Sequence, residues 1–260
     1  MNLSNNTILI TGGGSGIGLA LAKEFLQLNN KVIICGRNAD KLQVAKKKFP
    51  SLQAIQCDVS NKDSVSALLE EIQHKYPNLN FLVNNAGVMR LWNVQKETNN
   101  VEEQKAEILI NLFGTIQLTQ LLIPLLLIQK NSFILNVSSA LAEVPMSAAP
   151  IYSATKAAIH SYSIAIREQL QHTGISVFEL LPAAIATDMA SGIEKSIGMS
   201  NSNPKMTPEK LAMLTIKGLK NDKPEIRPGM ANMLHAIHRF LPSVAQKMIS
   251  SQSKKMLLKL

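Results

Sequence analysis

The sequence predicts an α/β fold: a doubly wound parallel sheet of about seven strands with helices on both faces. Three observations carry this expectation. Short runs of β-branched and aliphatic residues alternate with longer stretches of helical period, as crossovers between parallel strands require. Most of the short runs are apolar throughout, the pattern of strands covered on both faces. No linker, repeat or low-complexity block interrupts the 260 residues, so one domain is expected over residues 1–260.

In order, strands are expected at Thr7–Thr11, Lys31–Cys35, Leu52–Cys57, Phe81–Asn84, Ser132–Ser138 and Ile175–Leu181, with a seventh at Glu225–Arg227. Helical stretches fall between them near Ser15–Leu28, Ala39–Phe49, Lys62–Tyr76, Val101–Gln129 and Tyr152–His172. Two segments break this rhythm. Ala183–Thr207 mixes Gly, Ser, Asn and Pro with Met and Ile, and is expected to be a flexible insertion near the substrate. Ala231–Leu260 is expected to be helical, broken at Pro242, and is both basic and apolar; packing over the active site, extending an oligomer interface and lying on an anionic membrane are its three open readings. Ile108 to Gln129 carries no charge and is long enough to cross a bilayer. Its Asn111, Thr115, Gln117 and central Pro124 also suit a buried helix, and the flanking strand pattern favours that reading.

Hydrophobic residues make up 46% of the chain, enough for a sizeable core, and charged residues 17%, too few for disorder. Cys35 and Cys57, each ending an apolar run, are expected to be reduced and buried, which with the lack of a long apolar stretch at the amino end suggests a cytoplasmic location. The net charge of +9 suggests acidic small molecules, an anionic membrane surface or nucleic acid. Scattered basic residues and only 4% aromatics argue against nucleic acid.

Thr11-Gly-Gly-Gly-Ser-Gly-Ile-Gly18 follows the first strand and opens the first helix. Glycines allow a sharp turn and close approach to a pyrophosphate, and a helix start offers unpaired N–H groups and a positive dipole end. Gly12, Gly14, Ser15, Gly16, Ile17 and Gly18 are therefore candidate cofactor contacts in a Rossmann-type fold. The spacing is G-x-x-x-G-x-G, unlike the general G-x-G-x-x-G. The second strand ends Cys35-Gly-Arg-Asn38, with no carboxylate before Asp40 to hold a ribose 2′-hydroxyl. Arg37 there suits the 2′-phosphate of NADP, or is a solvated surface arginine. NADP(H) is the expected cofactor, with NAD(H) left open. Asp58 and Val59 end the third strand where an adenine would lie, although an isolated Asp also serves as a cap or turn residue. Asn85, Ala86 and Gly87 follow the fourth strand with small and amide residues that permit close approach.

Tyr152 and Lys156 stand four apart on one helical face. A free tyrosine titrates near 10, too high for efficient proton exchange at neutral pH, and a nearby ammonium is expected to lower it. Ser139 closes the fifth strand thirteen residues earlier, at the edge where such sheets bind ligands, and would polarise a carbonyl. Asn111 sits in the uncharged helix, where an amide is costly unless hydrogen-bonded.

Together these ordered motifs resemble the main branch of the short-chain dehydrogenase/reductase family over roughly Thr7 to Met189: the glycine turn, Asn84–Gly87, Asn111, Val137-Ser-Ser139 and Tyr152-Ser-Ala-Thr-Lys156. Val32–Asn38 and Ala157–Tyr162 are similar to a bacterial subgroup of DltE-like oxidoreductases. The resemblance implies that Tyr152 is the general acid in reduction and base in oxidation. It also implies that Lys156 tunes Tyr152 and binds nicotinamide ribose, that Ser139 orients the carbonyl, and that Asn111 holds a relay water. Ser138 is the alternative if the register slips by one. Pro182 and Thr187 are implied cofactor contacts, although Pro182-Ala183 departs from the family's Pro-Gly.

The five histidines show no metal-ligand spacing, and no metal is expected in catalysis. Val88, Met89, Leu91, Trp92, Leu141, Val144, Met146, Ile185 and Met189 are candidate pocket residues and favour an apolar carbonyl or alcohol substrate. A homodimer or homotetramer is expected, built on the helices around Asn111 and after Tyr152. Two alternatives stay open: a sensor or scaffold that binds NADP(H) without turnover, and a membrane-associated reductase resting on residues 231–260.

Overall fold

The computed structural model describes residues 1–96, 101–198 and 205–260. Seven parallel strands, β1 (Thr7–Thr11), β2 (Lys31–Gly36), β3 (Gln53–Gln56), β4 (Phe81–Asn84), β5 (Ser132–Val137), β6 (Ile175–Leu180) and β7 (Glu225–Ile226), lie in the order β3-β2-β1-β4-β5-β6-β7. The direction of strand succession reverses between β1 and β4, which opens a crevice at their carboxyl ends.

Adjacent strand residues point to opposite faces, so each strand feeds two cores. On one face Ile8, Ile10, Val32, Ile34, Phe81 and Val83 meet α1 (Gly16–Gln27), α2 (Ala39–Lys48) and α8 (Pro208–Lys220). On the other, Leu9, Ile33, Leu82, Ile134 and Val177 meet α3 (Lys62–Lys75), α5 (Gly114–Leu127) and α6 (Pro150–Gln169). Helix starts follow local chemistry: Asn38, Asn61 and Thr207 accept from the backbone N–H three residues on, and Pro208 occupies the first turn of α8.

The stretch expected as one helix, Val101–Gln129, is three pieces. α4 (Val101–Ile108) leads into a π-helical turn at Leu109–Phe113, and α5 continues to Leu127. By length and composition this run would span a bilayer. Leu118, Leu122 and Leu126 instead pack onto the sheet as part of the β4-to-β5 crossover. The stretch expected as a flexible insertion contains α7 (Asp188–Ser196), started by Thr187, and an Ile185–Met206 bridge; residues 199–204 of it lie outside the described residues. α8 has no counterpart in the sequence reading. α9 (Met230–Phe240) and α10 (Pro242–Leu257) meet at Leu241, with Pro242 opening the second, as its missing N–H allows.

Candidate active site

The glycine turn brings β1 against the end of β4. Gly12 and Gly16 hold positive φ of 64° and 53°, a region that side-chain-bearing residues rarely occupy. A Cβ on Gly18 would stand 2.5 Å from the Gly12 carbonyl oxygen, so only glycine fits there. Asn85 donates from Nδ2 to the Thr11 and Gly12 carbonyls at 2.9 and 3.2 Å, and the Thr11 hydroxyl accepts from the Asn85 and Ala86 amides at 2.9 Å. Asn85 and Ala86 therefore shape the turn from behind.

The first turn of α1 has neither an acidic residue nor a side-chain cap from Ser15. Amides of Gly16, Ile17 and Gly18 are thus open to an anion, and Gly14 leaves room above the turn. This cradle fits a pyrophosphate. Thr187 caps α7 through the Ala190 amide and packs over Gly16, where an added Cβ would meet Thr187 Cγ2 at 3.3 Å. Across the crevice mouth, Lys41 pairs with Asp188 at 2.8 Å. Pro182 accepts from the Ala140 amide at 2.9 Å, joining β6 to the Ser139 loop.

Arg37 is exposed beyond β2, with no acidic partner among the described residues. Asp58 spends one carboxylate oxygen on a turn, accepting from the Ser60 amide and hydroxyl at 2.9 and 2.6 Å. Val59 packs against Gly114, where a Cβ would come within 2.9 Å.

α6 aims Tyr152 and Lys156 at the carboxyl ends of β4 and β5. Lys156 is buried, donates to the Val137 carbonyl at 2.8 Å, and lies 5.6 Å from the Tyr152 ring centroid. The Ser139 hydroxyl accepts from the Leu141 amide at 3.1 Å and lies within hydrogen-bonding reach of the Tyr152 phenol. Ser138 is turned the other way, onto the buried Glu179 carboxylate. Ser139, not Ser138, shares a site with Tyr152.

The electrostatics differ from the expectation. Burial pushes the Tyr152 phenol up to about 12; the Ser139 hydrogen bond opposes this and the Glu107 charge adds to it. Burial likewise holds the Lys156 ammonium down at about 8, against the pull of Glu179. The lowering of Tyr152 expected from Lys156 is not found: burial dominates, and the opposing contribution comes from Ser139.

The π-helical turn places Asn111 beneath this pair. Its amide exchanges 2.8 Å hydrogen bonds with both backbone groups of Val88 and reaches Thr155 Oγ1 at 3.3 Å. A Cβ on Gly87 would lie 3.3 Å from Asn111 Oδ1 and 3.6 Å from Lys156 Nζ, so that glycine separates the two. One α-turn earlier, Glu107 is fully buried and accepts from Trp92 Nε1 at 3.1 Å and the Arg90 amide at 3.3 Å; burial raises its pKa. The sequence reading missed Glu107, although its i, i+4 spacing from Asn111 was a usable signal.

Four of the expected pocket residues, Met89, Leu91, Leu141 and Met146, cluster with Tyr152. Trp92 is buried on Glu107, Val88 and Ile185 belong to the sheet cores, Val144 packs under α9, and Met189 is exposed. The rest of the apolar wall comes from Ile197, Ile249, Met256 and Leu257, so α10 roofs the site. Elsewhere, His160, Glu179 and Glu225 bring ligand-type atoms within 4.8 Å of one another, a grouping hidden in the sequence. Glu225 is paired with Arg227 at 2.6 Å and Glu179 is filled by Ser138 and His160, so guanidinium and hydroxyl groups already satisfy them.

A parallel sheet with an anion cradle and a Tyr–Lys–Ser group at its switch point defines a nucleotide-dependent oxidoreductase class. Residues 6–198 match the short chain dehydrogenase family, and the chain belongs to it. It is 39% identical over 226 residues to the uncharacterized oxidoreductase DltE of Bacillus subtilis (strain 168), covering 87% of this chain and 89% of that one. An uncharacterized oxidoreductase of Staphylococcus aureus (strain N315) is 29% identical over 223 residues, covering 85% and 94%. Among solved structures, a short chain dehydrogenase from Burkholderia cenocepacia J2315 in complex with NADP superposes with a TM-score of 0.82 at 23% identity, covering 96% of this chain and 99% of that one. A short chain dehydrogenase/reductase from Burkholderia phymatum in complex with NAD gives 0.77 at 19% identity, covering 92% and 96%.

Proposed function

We propose that this chain is an NADP(H)-dependent reductase and dehydrogenase acting on an apolar carbonyl/alcohol pair. The observation that carries the reading is the meeting of the Tyr152 phenol, the Ser139 hydroxyl and the Lys156 ammonium under an apolar roof. The nicotinamide supplies or accepts the hydride. In reduction, Ser139 holds the substrate carbonyl oxygen and Tyr152 gives it a proton; in oxidation, Tyr152 takes that proton back. Lys156 binds the nicotinamide ribose, and Asn111 keeps the Val88 backbone and Gly87 in position beside it.

The amides of Gly16–Gly18 hold the pyrophosphate, with Gly12, Gly14 and Ser15 allowing its approach. Asp58 and Val59 border the adenine, and Pro182 and Thr187 face the nicotinamide amide. Arg37, with no carboxylate partner among the described residues, supports a 2′-phosphate and hence NADP(H), with NAD(H) as the weaker cofactor. Related folds bound to NADP and to NAD are consistent with either nucleotide. Ile108, Phe113, Leu121 and Ile164 leave apolar surface exposed on α4 to α6, which supports a homo-oligomer there. The reduced, buried Cys35 and Cys57 suit a cytoplasmic setting.

The test is a panel of carbonyls and alcohols followed by NADPH absorbance, with NADH in parallel. Tyr152→Phe is expected to lower turnover by about 10³-fold while keeping NADPH affinity within about twofold. A variant with undiminished activity would make the chain a nucleotide-binding regulator instead. Faster turnover with NADH would overturn the role of Arg37.

A further inference from the structure

α9 and α10 carry two opposite faces. The inner face is anchored: Ala231, Leu234, Ala245 and Met256 are buried, and the buried Ser253 hydroxyl accepts from the Ala148 amide at 2.7 Å and from the Ser147 hydroxyl at 2.8 Å. The outer face is therefore held in place, and its exposure is a property of the fold.

That outer face is apolar and basic together. Met230, Met233, Phe240, Leu241, Val244 and Met248 are exposed, Phe240 at 77% and Leu241 at 57%, around the corner where the two helices meet. Arg239, Lys247, Lys254 and Lys255 are exposed beside them, with no acidic partner among the described residues. Residues 230–260 contain five Lys or Arg and no Asp or Glu, so +5 of the chain's net +9 sits in its last segment.

A protruding aromatic and aliphatic corner flanked by unpaired cations matches the acyl boundary and headgroups of an anionic bilayer. A second copy of the chain fits poorly, because a two-fold contact places the same all-cationic face against itself. We infer that the outer face of the α9–α10 pair docks on an anionic lipid surface. This stands apart from the redox reading, since none of these residues touches the Tyr152 site.

Sedimentation of the full chain with phosphatidylcholine vesicles, with and without phosphatidylglycerol, tests the inference. Binding is expected only with phosphatidylglycerol, and is expected to weaken about tenfold or more at high salt. Phe240→Ser/Leu241→Ser and Arg239→Glu/Lys247→Glu are each expected to weaken it by about tenfold or more, with melting temperature and NADPH affinity unchanged as checks on folding. Two results overturn it. One is equal sedimentation of the wild-type chain with both vesicle types. The other is a fall in solution mass in Phe240→Ser/Leu241→Ser, which would mean that a second copy covers the face.

Discussion

Beside β1 the crevice is walled by backbone; beside β6 it is walled by side chains. On the first side Gly12, Gly16 and Gly18 let main chain approach main chain, and the open groups are amides at the start of α1. On the second, Met89, Leu141, Met146 and Met256 surround Tyr152, drawn from segments more than 160 residues apart. A backbone wall recognises what every dinucleotide shares and tolerates almost no substitution. A wall of flexible methionines and leucines is re-cut by single changes, so chemistry and substrate preference are free to vary separately.

The largest expected effect falls at the seam between the two sides. Lys156→Met should lower turnover by about 10²-fold or more and yet raise the melting temperature at pH 7 by roughly 2–4 °C for each kcal/mol recovered. The sign follows from its folded pKa of about 8, below the ordinary 10.5. Burying the ammonium works against the fold at neutral pH, and that penalty fades as pH rises from about 8 towards 10.5. The same titration makes wild-type carbonyl reduction fall as pH rises through about 8. Thermal melts and rate profiles across pH 6–10 check both, and a Lys156→Met chain that melts lower at pH 7 would refute the sign.

Next comes the backbone wall. Gly18→Ala forces a Cβ to within 2.5 Å of the Gly12 oxygen. Overpacking of this kind costs about 1–3 kcal/mol, so NADPH affinity should drop by about tenfold or more. Titration of NADPH by fluorescence measures it, and unchanged affinity would erase the contrast drawn above. The smallest effect belongs to the roof. Ser253→Ala leaves the buried Ala148 amide without its acceptor, a loss of about 1–2 kcal/mol. Substrate KM should rise several-fold while NADPH affinity stays put, because Ile249, Met256 and Leu257 of α10 line the apolar side of the site beside Tyr152.

This division also decides what could be read from sequence. The strands and the glycine turn were legible, because an all-apolar run between helical stretches and five glycines in the seven residues 12–18 state backbone requirements locally. Tyr152, Lys156 and Ser139 were found by spacing, and the structure brings them together. The roof was legible only as one of three readings of residues 231–260: Ile249, Met256 and Leu257 look like any core side chains, and only the three-dimensional path of α10 sets them over Tyr152. Asp58 was ambiguous, and its bonds to Ser60 display the turn chemistry that a short polar residue after a strand always offers. Glu179 was overlooked despite a local clue, an acid inside the apolar run of β6. The shift of Tyr152 was misjudged because burial, which sequence does not give, outweighs the neighbouring charge.

The roof over Tyr152 is also made after the rest of the site. A ribosome that has released residues 1–187 has already delivered every residue assigned above to the nucleotide, yet α10 is still unwritten and the phenol stands open to water. Birth order thus gives the enclosed chamber its timing: the grip comes first, and the chamber closes only once α10 has followed.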